Sequence, residues 1–289
     1  MKRNRLLAKE WGKRVVLALL FVAIGSFIMI AFNPWGEGPK LDPRDDHLAK
    51  IGVSIFLLVV ALLARKSKRF EKYWQVLFAF FILTVAVSLE FVFGIYLIKH
   101  LGVTDSTPGG WALPKLNECF VVVSVIIIFN FLSGGNLGSI YVQKGNLKLG
   151  LVIGLVTFFV FAASAIPMAS LFKAQDLSLA RIIPWVPWIL IYVLANGTME
   201  ELLFRGLFLH KLQPFFGRFI SNFLVAVVFA GIHLTGSLTG DERIFVAFLF
   251  PFALALGYIM QKTDSVWGSI LLHAGMDIPV MLGIFSNLS

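Results

Sequence analysis

Long apolar runs separated by short polar stretches set the pattern of this chain. They fall at 15–32, 49–64, 74–98, 119–133, 149–170, 182–210, 219–236, 244–260 and 266–284, and each is continuous rather than alternating. A helix needs about 20 mostly apolar residues to cross a hydrocarbon core of about 30 Å. A membrane barrel would instead show segments of about ten residues with alternating apolar and polar positions. The pattern therefore predicts helical spans, about eight or nine of them, since 49–64 and 119–133 are short enough to be re-entrant. The stretches 33–48 and 99–118 are rich in Pro, Gly and charge and read as linkers.

Composition strengthens this reading. Of the 289 residues, 58% are hydrophobic, 29 are Phe and only 14% are charged, against about 25% charged in ordinary soluble domains. A water-soluble globule cannot hide that much apolar surface. The expected fold is an all-α polytopic transmembrane bundle. The N-terminal helices are assigned to 1–145 and a C-terminal helical core to 146–289. A single Cys excludes a disulfide framework and a cysteine-ligated metal cluster.

The net charge of +9 would suggest nucleic acid in a soluble protein. Here the cations lie between the apolar runs. Lys2, Arg3, Arg5, Lys9, Lys13 and Arg14 form one cluster, and Arg65, Lys66, Lys68, Arg69 and Lys72 form a second, two spans later. Both belong on one side, which the positive-inside rule makes cytoplasmic. The bilayer is the expected partner, and nucleic acid is not. The first run is followed by Asn33-Pro34-Trp35 with no small-x-small cleavage pattern, so it reads as a retained helix rather than a signal peptide. No eukaryotic targeting signal is visible, which favours a prokaryotic plasma membrane.

Ionisable side chains inside spans are expensive and mark function by default. They are Glu90, Glu200, Glu201, Arg205, His233, His273 and Asp277. All but Glu90 fall in the last third of the chain. Glu201 and Arg205 are i and i+4, with the acid N-terminal, the favourable order for an ion pair. Glu200 points about 100° away from Glu201 and is free to face something else. His273 and Asp277 are i and i+4 on a second helix, as are Phe229 and His233 on a third. Three helices can aim Glu200, His233, His273 and Asp277 into one interior. Measured from the starts of their runs, His233 would lie about 21 Å deep and His273 only about 10 Å, a mismatch that tilt must absorb. Glu90 stands alone and reads as bonding a neighbouring helix or lining the cavity.

The run 182–210 would be about 43 Å long at ~1.5 Å per residue. It either tilts or breaks near Asn196-Gly197, where Thr198 and Glu201 also fit a capping box. Trp185-Val186-Pro187-Trp188 reads as an interfacial belt with a helix-start proline. His47 and His100 fall in the polar stretches and His210 at a helix end.

No nucleophile elbow and no His-Glu-x-x-His helix accompany these groups. A carboxylate facing an imidazole can activate water as paired base and acid, and a second imidazole can meet an oxyanion. That suffices for amide hydrolysis with no cofactor. One Glu and two His would also suit zinc with an open position, and buried acids with histidines can form a proton relay. Sequence spacing leaves the metal question open.

Three motifs favour hydrolysis and leave the metal open. Glu200-Glu201-Leu-Leu-Phe-Arg205, Phe229-Ala-Gly-Ile-His233 and His273-Ala-Gly-Met-Asp277 resemble, in order, the motifs of the CPBP family of CAAX prenyl endopeptidases and bacteriocin-processing and immunity proteins. The resemblance covers roughly 149–285. It implies an intramembrane endopeptidase acting on a membrane-anchored or lipid-modified peptide. Glu200 and His233 would activate water, His273 and residue 277 would stabilise the oxyanion, and Glu201 and Arg205 would support them. The prenyl-protein endopeptidases carry Asn where this chain has Asp277. An ionised Asp cannot donate to an oxyanion, so Asp277 is either protonated, an orienter of His273 or a metal ligand. The family's immunity-type members keep a second reading, a non-proteolytic partner that binds another membrane protein in the same cavity.

Overall fold

The computed structural model describes residues 2–32, 42–235 and 242–288. The Asn33-Pro34-Trp35 junction and most of the 33–48 linker lie outside them. The described residues form ten α-helices: α1 (Lys2–Phe32), α2 (Pro43–Lys66), α3 (Trp74–Leu101), α4 (Pro108–Leu132), α5 (Leu147–Ala163), α6 (Ala165–Ala169), α7 (Leu179–Glu200), α8 (Leu207–Ile232), α9 (Glu242–Thr263) and α10 (Trp267–Ser286). Among the described residues seven helical segments are long and apolar enough to cross a membrane, or eight when a bent pair is counted. The chain is an all-α, multi-pass membrane bundle.

The bent pair is the expected 149–170 run, which turns by 68° between α5 and α6. Ser164 marks the bend and donates its hydroxyl to the Val160 carbonyl, a bond that competes with the helix ladder. The expected runs 182–210 and 219–236 form one helical stretch from Leu179 to Ile232. It is interrupted at Gly217, whose φ of 74° only glycine adopts easily.

Helix ends differ from the sequence reading in a consistent way. The 99–118 linker is mostly helix, because α3 runs to Leu101 and α4 starts at Pro108. The Thr107 hydroxyl accepts from the Gly110 amide at 3.0 Å, and Pro at the first helical position suits its fixed φ. Pro114, Lys115 and Glu118 hid this turn from hydropathy. Lys115 and Glu118, one turn apart, pair at 2.5 Å. Likewise His47 lies in α2 and His100 in α3 rather than in loops. α7 begins at Leu179, so Pro187 is inside the helix rather than at its start. Thr198 is not an N-cap, because α7 runs through it unbroken.

α10 is the most enclosed of the long helices. It packs on α5, α7 and α9, while α4 joins α7 to α3 and α1 covers α8. Along α5 the contact is backbone to backbone. A Cβ on Gly268 would come within 2.8 Å of the Gly150 oxygen, and one on Gly275 within 2.8 Å of the Phe158 Cα. Lipid gives helices no hydrophobic drive to associate, so close van der Waals approach and polar ties must hold them. The ties are visible between α8 and α9. Asn222 donates to the Leu254 carbonyl at 2.8 Å, and Gln261 donates to Arg218 O at 3.0 Å. The largest apolar core joins residues of α1–α4 to α8. Phe21, Phe80 and Phe208 meet there with ring centroids 5.1–5.5 Å apart.

Candidate active site

The C-terminal end of α7 presents Tyr192, Asn196 and Glu200 at i, i+4 and i+8, on one face. Gly197 lets that face approach α10. A Cβ there would lie 3.0 Å from the Ile270 oxygen and 3.3 Å from the Ala274 nitrogen. Asn196-Gly197 is therefore a contact point, and the helix continues through it. The irregularity comes just after, where Glu201–Gly206 widens into a π-turn and the Leu207 amide bonds back to the Leu202 carbonyl. Wide turns of this kind recur at functional sites because they rotate side chains away from the regular helical positions.

Glu201 and Arg205 lie within that turn and are fully buried. Arg205 Nη1 donates to Glu201 Oε1 at 2.6 Å, and Nη2 donates to the Ala253 carbonyl of α9 at 3.3 Å. The guanidinium also lies 4.5 Å from the Phe229 ring centroid. An ion pair withdrawn this far from water is stable only when both charges are paired. Glu201 Oε1 also faces His273 Nδ1 at 2.8 Å. A carboxylate only accepts, so Nδ1 carries the hydrogen. The supporting pair thereby fixes which nitrogen of His273 faces outward.

That nitrogen, Nε2, lies 3.5 Å from Glu200 Oε2 and 3.8 Å from Asp277 Oδ1. The Glu200 and Asp277 side chains keep 19% and 16% of their surface exposed, whereas Glu201 and Arg205 have none. The first two can meet a substrate, and the second two cannot. Asn196 Nδ2 donates to Asp277 Oδ2 at 2.9 Å and ties α7 to α10. His233 ends α8, and its Nδ1 donates to the Phe229 carbonyl at 2.7 Å, leaving the Nε2 lone pair free. It lies within electrostatic reach of Glu200 and His273. Phe229 links the two imidazoles, with its ring centroid 4.9 Å from that of His233 and 5.8 Å from that of His273. One phenyl ring thus touches both imidazoles.

Glu200, His273 and Asp277 converge directly, Glu201 and Arg205 stand behind them, and His233 approaches from a third helix. Among the described residues no group of three or more His, Cys, Asp or Glu is arranged to hold a metal ion. Both histidines already commit Nδ1 to a protein acceptor, and Glu201 commits one oxygen twice.

Two features escape sequence reasoning. Asn196 reads from sequence only as a weak point in a helix, although its i, i+4 relation to Glu200 places it on the same face. The second is a buried charged group on α3 and α4. Glu90, Lys115 and Glu118 are each less than 9% exposed. Glu90 feels the charges of Glu118, Lys115 and Lys50, so it is part of a cluster rather than isolated. Lys115 also lies 5.6 Å from the Tyr192 ring centroid and within electrostatic reach of Glu200 and Asp277. The α3–α4 charges therefore border the site.

The family model described as "Rce1-like: Type II CAAX prenyl endopeptidase Rce1-like" matches residues 182–279, a segment that holds all six expected site residues. No curated protein and no solved structure matches the chain.

Proposed function

Given that residues 182–279 carry the CPBP/CAAX protease family's segment, we propose that this multi-pass membrane protein is an intramembrane endopeptidase. Its substrate is a membrane-anchored or lipid-modified peptide, and its nucleophile is a water molecule activated by Glu200 and His233. Residues 146–289 form the protease core, and 1–145 form the N-terminal helices that flank it. The basic N-terminus lies on the cytoplasmic face of a prokaryotic plasma membrane.

The observation that carries the reading is the division of labour among the carboxylates. Glu201 is sealed off and neutralised by Arg205, while Glu200 remains partly exposed 3.5 Å from His273 Nε2. In the first step Glu200, with the free Nε2 of His233, takes a proton from water as the water oxygen bonds to the scissile carbonyl carbon. The carbonyl π pair moves onto oxygen. His273, oriented by Glu201 and bordered by Asp277, presents Nε2 to that charge when its ring is protonated. Collapse re-forms the carbonyl and breaks the C–N bond, and the departing nitrogen takes the proton held by Glu200 or His233. Positioned acid–base groups of this kind contribute about 100- to 10,000-fold.

The test is proteolysis in cells. Membrane proteomes enriched for peptide ends are compared among strains carrying wild type, Glu200→Gln and no protein. New termini that vanish in both the variant and the null support the reading. Wild-type termini with Glu200→Gln refute it and leave the cavity as a binding site for a membrane partner.

A further inference from the structure

Hydrolysis through a tetrahedral oxyanion needs N–H or O–H donors, and the site is built largely from acceptors. Ionised Glu200, Glu201 and Asp277 only accept. Arg205 is fully buried and spent on Glu201 and the Ala253 carbonyl. His233 gives its Nδ1 hydrogen to Phe229 O, and His273 gives its own to Glu201. One neutral amide stands among these groups. Asn196 is 8% exposed, one helical turn before Glu200 and on its face. Its Nδ2 carries two hydrogens, and Asp277 Oδ2 takes one of them at 2.9 Å. Because a carboxylate cannot donate, that bond also fixes the amide with nitrogen, not oxygen, toward α10. Tyr192 on the same face lies a further turn away, about 12 Å along the axis from Glu200, against Lys115.

We propose that Asn196 is a further catalytic residue, whose second Nδ2 hydrogen meets the developing oxyanion, with Asp277 as the positioning residue that holds the amide in register. The proposal rests on the proteolytic reading above. It gives Asp277 a role that an acceptor-only side chain can perform, and it adds a donor on α7 to the one that the protonated His273 ring presents from α10. The charged groups facing this pair are His273 on α10, Glu200 on α7 and, at longer range, Lys115 on α4.

The experiment uses the full chain in lipid nanodiscs and an internally quenched peptide spanning a Glu200-dependent cleavage site. Asn196→Ala is expected to lower kcat by about 100- to 1,000-fold, the loss typical of one oxyanion donor, with KM changed by less than about threefold. Asp277→Ala, which leaves the amide present but unheld, is expected to lose less. Asn196→Asp keeps the shape and removes the donor at neutral pH. Once protonated, the carboxyl group introduced by Asn196→Asp can donate again. The rate of that variant relative to wild type should therefore rise as pH falls, while the Asn196→Ala ratio stays flat. This pH readout also decides the matter if Asn196→Ala fails to fold. An unchanged kcat in Asn196→Ala, a loss confined to KM, or equal losses for the Ala and Asp variants at every pH would overturn the proposal and leave Asn196 as a structural tie. Full activity in Glu200→Gln would instead overturn the proteolytic reading; an inactive Glu200→Gln beside a fully active Asn196→Ala overturns only this one.

Discussion

Replacing Arg205 with Met tests how the site tolerates charge in the bundle interior. The guanidinium and the Glu201 carboxylate have no exposed surface, and they meet at 2.6 Å. Removing the cation leaves a carboxylate with no counter-charge and only the His273 Nδ1 hydrogen on Oε1. Breaking one side of a buried pair typically costs about 3–5 kcal/mol. The pair is not fully satisfied to begin with, because Glu201 Oε2 and Arg205 Nε lack hydrogen-bond partners. A double variant, Glu201→Gln with Arg205→Met, removes both charges and retains an acceptor for His273. It should therefore recover most of the loss and stand within about 2 kcal/mol of wild type. The assay is reversible unfolding in mixed micelles for wild type, both single variants and the double variant, read as a double-mutant cycle. A double variant no more stable than Arg205→Met would refute the reasoning, because the loss would then come from the shape of the arginine and not from an orphaned carboxylate. Activity gives a separate prediction. The double variant should fold yet cleave more slowly, since a neutral amide in place of the Glu201 carboxylate holds the His273 ring without a charge.

Other outcomes follow from the same geometry. Gly197→Ala puts a Cβ 3.0 Å from the Ile270 carbonyl oxygen; overpacking of this order costs about 1–3 kcal/mol, and cleavage should fall with stability as α7 is pushed from α10. Gly275→Val meets the Phe158 backbone itself, at 2.8 Å for the Cβ alone, and should abolish folded protein as judged by size-exclusion chromatography. Lys115→Met orphans Glu118 beside Glu90 and should destabilise by about 3–5 kcal/mol, with Lys115→Met/Glu118→Gln recovering part of it in the same unfolding assay. Equal stability of those two variants would show that Lys115 does not neutralise Glu118.

The architecture was legible because lipid enforces long apolar segments, and that signal survives in nearly every run. Helix ends were less legible wherever charges pair within the membrane. Lys115 and Glu118 lowered the local hydropathy and made the first turns of α4 look like a linker, although each cancels the other. The six motif residues were visible from i, i+4 spacing and from the cost of charge in lipid. Asn196 was not, because an amide carries no charge to draw attention and the glycine after it suggested a break. What Gly197 serves is a contact between helices far apart in sequence, and no local pattern encodes that. The π-turn at Glu201–Gly206 was equally silent, since its residues fit a regular helix by composition.

The glycine seam between α5 and α10 bears on how a polypeptide could reach the site. Where two backbones touch, neither helix can slide or tilt without collision, so the helix carrying His273 and Asp277 acts as a fixed post. Admission of substrate then falls to parts of the bundle closed by side chains, which can swing aside and return. The α4–α7 seam is of that kind: a Cβ added to Gly109 there would first meet the Trp188 ring, at 3.4 Å. The half of the chemistry on α10 is thus mounted on a stator, and α7 is held to that stator by the Gly197 contact and the Asn196–Asp277 bond.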